Sequence, residues 1–296
     1  MSWITAILLA TFFFSLCVLA DKFIHTNKIK SIYSYAILIN AIYLIFIIIT
    51  TYVQRGTFAL GSGAIYSGIA GCLWFFMWIF FWKALKVGEA SRVSAIFFTQ
   101  PIYASLFGML FLHESLGFLK WLGIIVIVSG AIMSSLGGES HKKEVKVAYL
   151  FAFFAALFSA TGNIISKYAM ASLPPLTVNC IAFYCTIPLY IFLLKDKNVI
   201  PEIRATIKDT KLLMQFGVRG LLGYTGILLN MTAMGNGPIS LVSAIGGSQP
   251  IMVLLISLGA GALFPKFIHE ELGKKVLVTK MAALVLTVTG VVLVSL

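Results

Sequence analysis

The chain has 296 residues, of which 60% are hydrophobic and 11% charged, with a mean hydropathy of +0.99. A water-soluble domain carries roughly a quarter of its residues as charged side chains, so this composition excludes one and reads as an integral membrane protein. The net charge of +12 does not point to nucleic acid, because the basic residues sit between apolar runs, where they set membrane orientation.

Crossing a bilayer core of about 30 Å takes roughly 20 apolar residues per helix. Long runs that do not alternate by twos predict helices rather than barrel strands. The first run, 3–23, has no basic region before it and ends at Asp21-Lys22 instead of a small-residue cleavage site. It therefore predicts a retained span, not a cleaved signal. Spans follow over 32–53, 62–85, 91–112 and 117–136, then a polar joint, GGESHKKEVK, at 137–146. Five more runs lie at 147–170, 176–194, 214–235, 238–261 and 275–296. Residues 195–213 are too polar to cross. Within them Ile200, Ile203 and Ile207 recur at helical spacing behind Pro201, opposite Glu202, Arg204 and Lys208. A short helix lying in the interface and a solvated loop both remain open there.

The ten spans divide into two copies of five. ALKVGEASRVSAIFFTQPI (84–102) aligns without gaps to AMGNGPISLVSAIGGSQPI (233–251), with ten identities in nineteen positions. FLHESLG (111–117) answers FIHEELG (267–273), Gly130 answers Gly290, and Ser135-Leu136 answers Ser295-Leu296. The expected organisation is a first repeat at 1–138, a polar linker at 139–146 and a second repeat at 147–296. A unit that crosses five times returns upside down, so the halves should be related by a two-fold axis in the membrane plane. The charges agree: the basic connections after spans one, three, five, seven and nine all fall on one face. That count places both termini outside.

Pro101 and Pro250 sit about ten residues into their spans. Each lacks an N–H and clashes with the carbonyl four residues back, that of Phe97 or Gly246. In lipid a freed carbonyl needs protein or water to meet it. Ser94, Thr99 and Gln100 in one copy, and Ser243, Ser248 and Gln249 in the other, supply polar groups beside the breaks. Two readings stand: ordinary packing kinks, or a pair of broken helices lining a central cavity at the repeat interface.

Trp74, Trp78 and Trp82 share one stripe of the third span and predict either a lipid-facing belt or an aromatic cavity wall. The aligned positions in the eighth span are Gly223, Ile227 and Met231, with Tyr224 and Asn230 as polar handles. Asn40, Asn163, Asn179, Tyr103 and Tyr184 are further uncharged polar groups within spans, expected to face other helices or water. All ten acidic residues read as lying at helix ends or in connections, which leaves no carboxylate at a span centre for a proton relay. Lys22 and Lys167 lie towards helix ends, where they either snorkel or contact an anionic group on a solute. His113-Glu114 and His269-Glu270 recur in tight turns and read as turn and cap residues, not as metal ligands. The four cysteines lie in apolar runs without zinc or disulfide spacing. No metal and no cofactor is expected.

Ten helices in two inverted halves, Lys22 and Lys167 late in the first helix of each half, the V-S-A-I…Q-P segments, Glu114 and Glu270, and Gly130 and Gly290 resemble the drug/metabolite transporter superfamily. The similarity is greatest to its EamA-type members and covers the whole chain. The first helix departs from it, since FSLCVLADK lacks the Trp-Gly-x-Asn that often precedes the lysine; Gly162-Asn163 is kept in the second half. The resemblance implies an all-α fold of ten transmembrane helices and a secondary transporter working by alternating access, and it usually places both termini in the cytoplasm, against the charge count. The expected solute is an amino acid or similar small metabolite, or a drug-like compound. The expected site is Trp74, Trp78, Ser94, Gln100, Pro101, Tyr103, Asn163, Tyr224, Asn230, Ser243, Gln249 and Pro250, with Lys22 and Lys167 as anion contacts. The expected partners are the solute, the lipid bilayer of a bacterial or archaeal plasma membrane and a coupling ion. No G-x-x-x-x-G-K-[ST] loop is present to bind ATP. A channel or lipid flippase shares the architecture; an integral membrane enzyme would need a catalytic cluster that the spans do not show.

Overall fold

The structure is a computed structural model and describes residues 1–25, 29, 31–58, 61–88, 90–135, 146–263 and 274–295. Each predicted span is a helix or a pair of helices, because continuous apolar sequence in lipid must satisfy its backbone hydrogen bonds internally. The first half holds α1 (Trp3–His25), α2 (Ile32–Val53), α3 (Ser62–Val87), α4 (Ala90–Phe97), α5 (Gln100–Leu112) and α6 (Phe118–Ser135). The second holds α7 (Lys146–Ala169), α8 (Pro175–Leu193), α9 (Val199–Lys208), α10 (Thr210–Asn236), α11 (Ile239–Gly246), α12 (Gln249–Leu263) and α13 (Lys274–Ser295). The fourth and ninth spans are the broken ones, each a short helix followed by a longer one. Residues 139–145 of the linker and the HEELG turn at 269–273 lie outside the described residues.

The polar 195–213 stretch, left open between helix and loop, contains the helix α9. Val199 and Thr206 are buried while Ile200 and Ile207 are exposed, the amphipathic pattern of a segment lying along the membrane surface. Glu202 Oε2 accepts from the backbone N–H of Ser31 at 3.1 Å, tying α9 to the start of α2.

Helix packing interlaces the two sequence repeats. α3 packs on α7 and α8, and α4 and α5 pack on α7, which gathers one bundle. Its inverted counterpart gathers α10 on α1 and α2, with α11 and α12 on α1. Each bundle therefore takes helices from both halves of the chain. The closing helices α6 and α13 pack on each other through glycines. A Cβ on Gly290 would lie 2.8 Å from Gly123 O, and one on Gly130 would lie 2.9 Å from Ala283 O. Small residues at these contacts let the backbones approach, as helix association in lipid requires.

The inverted symmetry is broken in one respect. α11 packs against α5, α6 and α7 of the opposite bundle, whereas among the described residues α4 makes no comparable packing on α12, α13 or α1. Every residue from Ile239 to Ile245 is buried. Of the first-half counterparts 93–99 of Val242–Ser248, Val93 and Ala95 are buried, while Ser94, Ile96, Phe97, Phe98 and Thr99 are all partly exposed.

Candidate functional site

The site grows from the two broken helices. At the first break the Phe98 N–H donates to Ser94 O at 2.9 Å, and Thr99 Oγ1 donates to Ile96 O at 2.7 Å. At the second the Gly247 N–H donates to Ser243 O at 2.9 Å, and Ser248 Oγ donates to Ile245 O at 2.6 Å. The two copies are alike here: the hydroxyl two residues before each proline bonds back to the carbonyl three residues earlier, which also accepts that same residue's backbone N–H. The breaks also meet each other. A Cβ on Gly247 would come within 3.0 Å of Pro101 Cγ, so glycine at 247 is what lets α5 approach. Phenylalanine stands at the equivalent position, Phe98.

Beside this crossing lie unpartnered polar atoms. Among the described residues, four buried side-chain oxygens lack a hydrogen-bond partner: Ser34 Oγ, Gln100 Oε1, Ser243 Oγ and Thr287 Oγ1. Gln100 adjoins Pro101, and Ser243 lies one turn before Gly247. A buried unpaired acceptor or hydroxyl costs about 1–3 kcal/mol. Two such groups, one from each repeat, stand beside the contact between the breaks.

The tryptophan stripe borders the same region. Ile65, Ile69 and Phe76 form the exposed outer face of α3. Trp78 follows Ile69 by nine residues, two and a half turns at about 3.6 residues per turn, so it points to the opposite, inner side. It is nevertheless 40% exposed. Trp78 stacks on Trp82 with ring centroids 5.4 Å apart, and Trp82 meets Tyr35 edge-on at 6.1 Å. One turn deeper, Trp74 Nε1 donates to Asn163 Oδ1 at 3.1 Å, joining two predicted site residues. Phe97 meets Phe81 at 4.6 Å, which extends the aromatic surface to the first break.

Other predicted residues serve helix contacts. Tyr224 shares a hydrogen bond of 2.6 Å with Thr50 and stacks on Phe46. Tyr103 meets Phe153 of α7 at 5.8 Å. Asn230 Nδ2 donates to Met234 Sδ at 3.4 Å, and the Gln249 carbonyl accepts from Ser15 Oγ at 3.4 Å. Ser94 and Pro250 are half-buried at the breaks and Pro101 is buried. The Lys22 side chain lies outside the described residues.

Lys167 and Glu114 occupy related places. Lys167 Nζ donates to the carbonyls of Met234 at 2.5 Å, Gly237 at 3.0 Å and Gly235 at 3.3 Å, closing the C-terminal end of α10. Glu114 accepts from the backbone N–H groups of Ile239 at 2.6 Å and Ser240 at 3.1 Å, and from Ser240 Oγ. Its role as a cap holds, but the helix it caps is α11 of the other repeat, not the following α6. His113 carries the turn itself, with φ 54 at the end of α5. A surface cleft of about 470 Å³ borders both charged groups.

One feature escaped the sequence reading. Asp21, assigned to a helix end, lies within α1 and pairs with Arg219 of α10 at 2.8 Å. Tyr35 Oη donates to Asp21, and Arg219 Nη1 donates to Tyr43 Oη. Arg219 stands nine residues into an apolar helix, and its repeat-mate is Ala70; that charge-for-alanine mismatch in the repeat was the available signal.

Among the described residues, eight helical spans are long and apolar enough to cross a membrane, and two shorter apolar helices close the halves. The broken helices meet at Pro101 and Gly247. Together these features define a multi-pass membrane protein. The EamA-like transporter family matches over residues 1–136 and again over 146–296, and the chain belongs to this family. A curated protein of Sinorhizobium sp., described as an uncharacterized transporter in the cobO 3'region, is 34% identical over 77 residues. That match covers 23% of the chain and 55% of the relative, so the chain spans about half the length of this curated relative. A solved crystal structure superposes with a TM-score of 0.73 at 17% identity, covering 99% of this chain and 98% of that one, which supports the fold alone.

Proposed function

We propose that the chain is a secondary transporter that carries a small polar organic solute, an amino acid or similar metabolite, by alternating access. Its site lies between α4–α5 and α11–α12, where the two interlaced bundles meet. The observation that carries this reading is the contact of the two helix breaks, Pro101 against Gly247, flanked by the unpartnered Gln100 Oε1 and Ser243 Oγ. Broken helices near the membrane midplane are where transporters of inverted-repeat design bind solute, and a polar solute satisfies such orphaned groups. The exposed inner face of Trp78 supplies the apolar wall that small-molecule sites combine with a few polar groups.

The repeats at 1–138 and 147–296 are the symmetry units, and the plasma membrane of a bacterium or archaeon is the proposed location. A thermal-shift screen of the purified protein against amino acids and related metabolites tests the reading. A solute that raises the melting temperature of the parent, but not of Gln100→Leu, is the expected result. A ligand whose effect survives Gln100→Leu and Ser243→Ala together would move the site elsewhere.

A further inference from the structure

We infer that Glu114 and Lys167 form the latch that holds one mouth of the molecule shut. This inference rests on the transporter reading for its purpose but not for its geometry. Spans four and nine run in opposite directions, so the N-terminal ends of α4 and α11 lie at opposite faces of the membrane. The mouth at α11 is packed: Ile239 to Ile245 are buried against the other bundle. The mouth at α4 is packed less closely: Val93 and Ala95 are buried, but Ser94, Ile96, Phe97, Phe98 and Thr99 keep partial exposure.

Both latch residues come from the α3–α4–α5–α7–α8 side, Glu114 at the end of α5 and Lys167 from α7. Both grip the α10–α11 junction of the other side. Lys167 supplies positive charge and donors to the carbonyl end of α10. Glu114 supplies negative charge and acceptors to the amide end of α11. Each sign matches the partial charge of the helix end it meets. The junction thus trades its two sets of unpaired backbone groups for a clamp across the bundle interface. Gly108 is shaped for it: a Cβ there would lie 2.5 Å from Ser240 Oγ and 2.8 Å from Glu114 Oε2. In the sequence, Lys22, Ser91 and Glu270 are the repeat counterparts of Lys167, Ser240 and Glu114. The Lys22 and Ser91 side chains and Glu270 lie outside the described residues, and the latch is inferred from Glu114 and Lys167 alone.

The test is labelling of the reconstituted full chain by a membrane-impermeant maleimide, with no solute present. The native cysteines are replaced, and one reporter cysteine is placed either at Val242, in the shut mouth, or at Ile96, in the less closely packed one. In Glu114→Gln or Lys167→Met, Val242→Cys should label roughly tenfold faster while Ile96→Cys slows, as a two-state shift of one lost charge-assisted contact requires. Lys167→Arg, which keeps charge and donors, should label like the parent. Equal rates in parent and variants, or a rise at both reporters as in general loosening, overturns the latch. Should Glu114→Gln not fold, the Lys167→Met and Lys167→Arg pair decides the question. Reciprocal labelling in a protein that moves no solute would leave the latch standing and remove the transporter reading.

Discussion

Arg219 on α10 and Asp21 on α1 form a two-point ion pair, Nε to Oδ1 at 2.8 Å and Nη2 to Oδ2 at 3.1 Å, within the contact between the two helices. The repeat places Ser166 and Ala70 at the matching positions of α7 and α3, both fully buried. The same helix contact therefore exists twice, once charged and once not. Removing one member of a buried pair costs about 3–5 kcal/mol. Arg219→Ala should fall at the lower end of that range, because the Asp21 side chain keeps 26% exposure. Adding Asp21→Ser should recover more than half of the lost melting temperature, since no carboxylate then remains unpaired. Additive losses in the double variant would show that the pair acts through packing rather than charge.

Ser243 offers a test that separates stability from binding. Its buried hydroxyl has no partner among the described residues, so Ser243→Ala removes an unsatisfied group and adds no cavity. The variant should be as stable as the parent or more stable by about 1 kcal/mol, and it should respond less to a stabilising solute. Chemical denaturation with and without ligand measures both. Lower stability together with an undiminished ligand response would place the hydroxyl outside the site.

Trp78 is the exposed member of the inner stripe, with its ring stacked on Trp82. Trp78→Ala should lower solute affinity roughly tenfold, the equivalent of one aromatic contact of about 1.4 kcal/mol. The protein should remain folded, because among the described residues no hydrogen bond depends on this ring. Trp74→Ala differs, because it also strands Asn163 Oδ1; it should reduce melting temperature as well as binding. Isothermal titration beside a melting curve distinguishes the two.

Gly290 tests the contact between the closing helices. A Cβ there would meet Ile127 Cγ1 at 2.6 Å and Gly123 O at 2.8 Å, and a backbone oxygen cannot move aside as a side chain can. Gly290→Ala should destabilise by about 1–3 kcal/mol. At Gly217 a Cβ would meet nothing within 4 Å, so Gly217→Ala should be neutral or slightly stabilising through helix propensity. Matching melting temperatures for the two variants would contradict the close approach.

Much of this architecture was legible in the chain. Apolar runs of bilayer length place the helices, and Pro101 and Pro250 place the breaks, because lipid leaves the backbone few alternatives. The repeat of V-S-A-I…Q-P implies the inversion through the odd number of crossings. Contacts between distant helices were not legible. Asp21 beside Lys22 reads as a loop boundary, and nothing in the spacing says that α10 brings an arginine to it. Glu114 reads as a local turn residue because sequence shows only its neighbours, while the helix end it caps begins 125 residues later. The interlacing of the repeats into two mixed bundles likewise follows from packing, not from the order of the spans.

Counterflow tests the central claim most directly. The purified chain is reconstituted into proteoliposomes loaded with an unlabelled solute selected by thermal shift, and entry of the same solute in labelled form is followed at trace concentration. A carrier that exposes its site to one side at a time should accumulate label transiently above equilibrium, and Gln100→Leu should abolish the overshoot. Entry that rises only to equilibrium, at a rate independent of internal solute, would contradict alternating access and describe an open pathway instead.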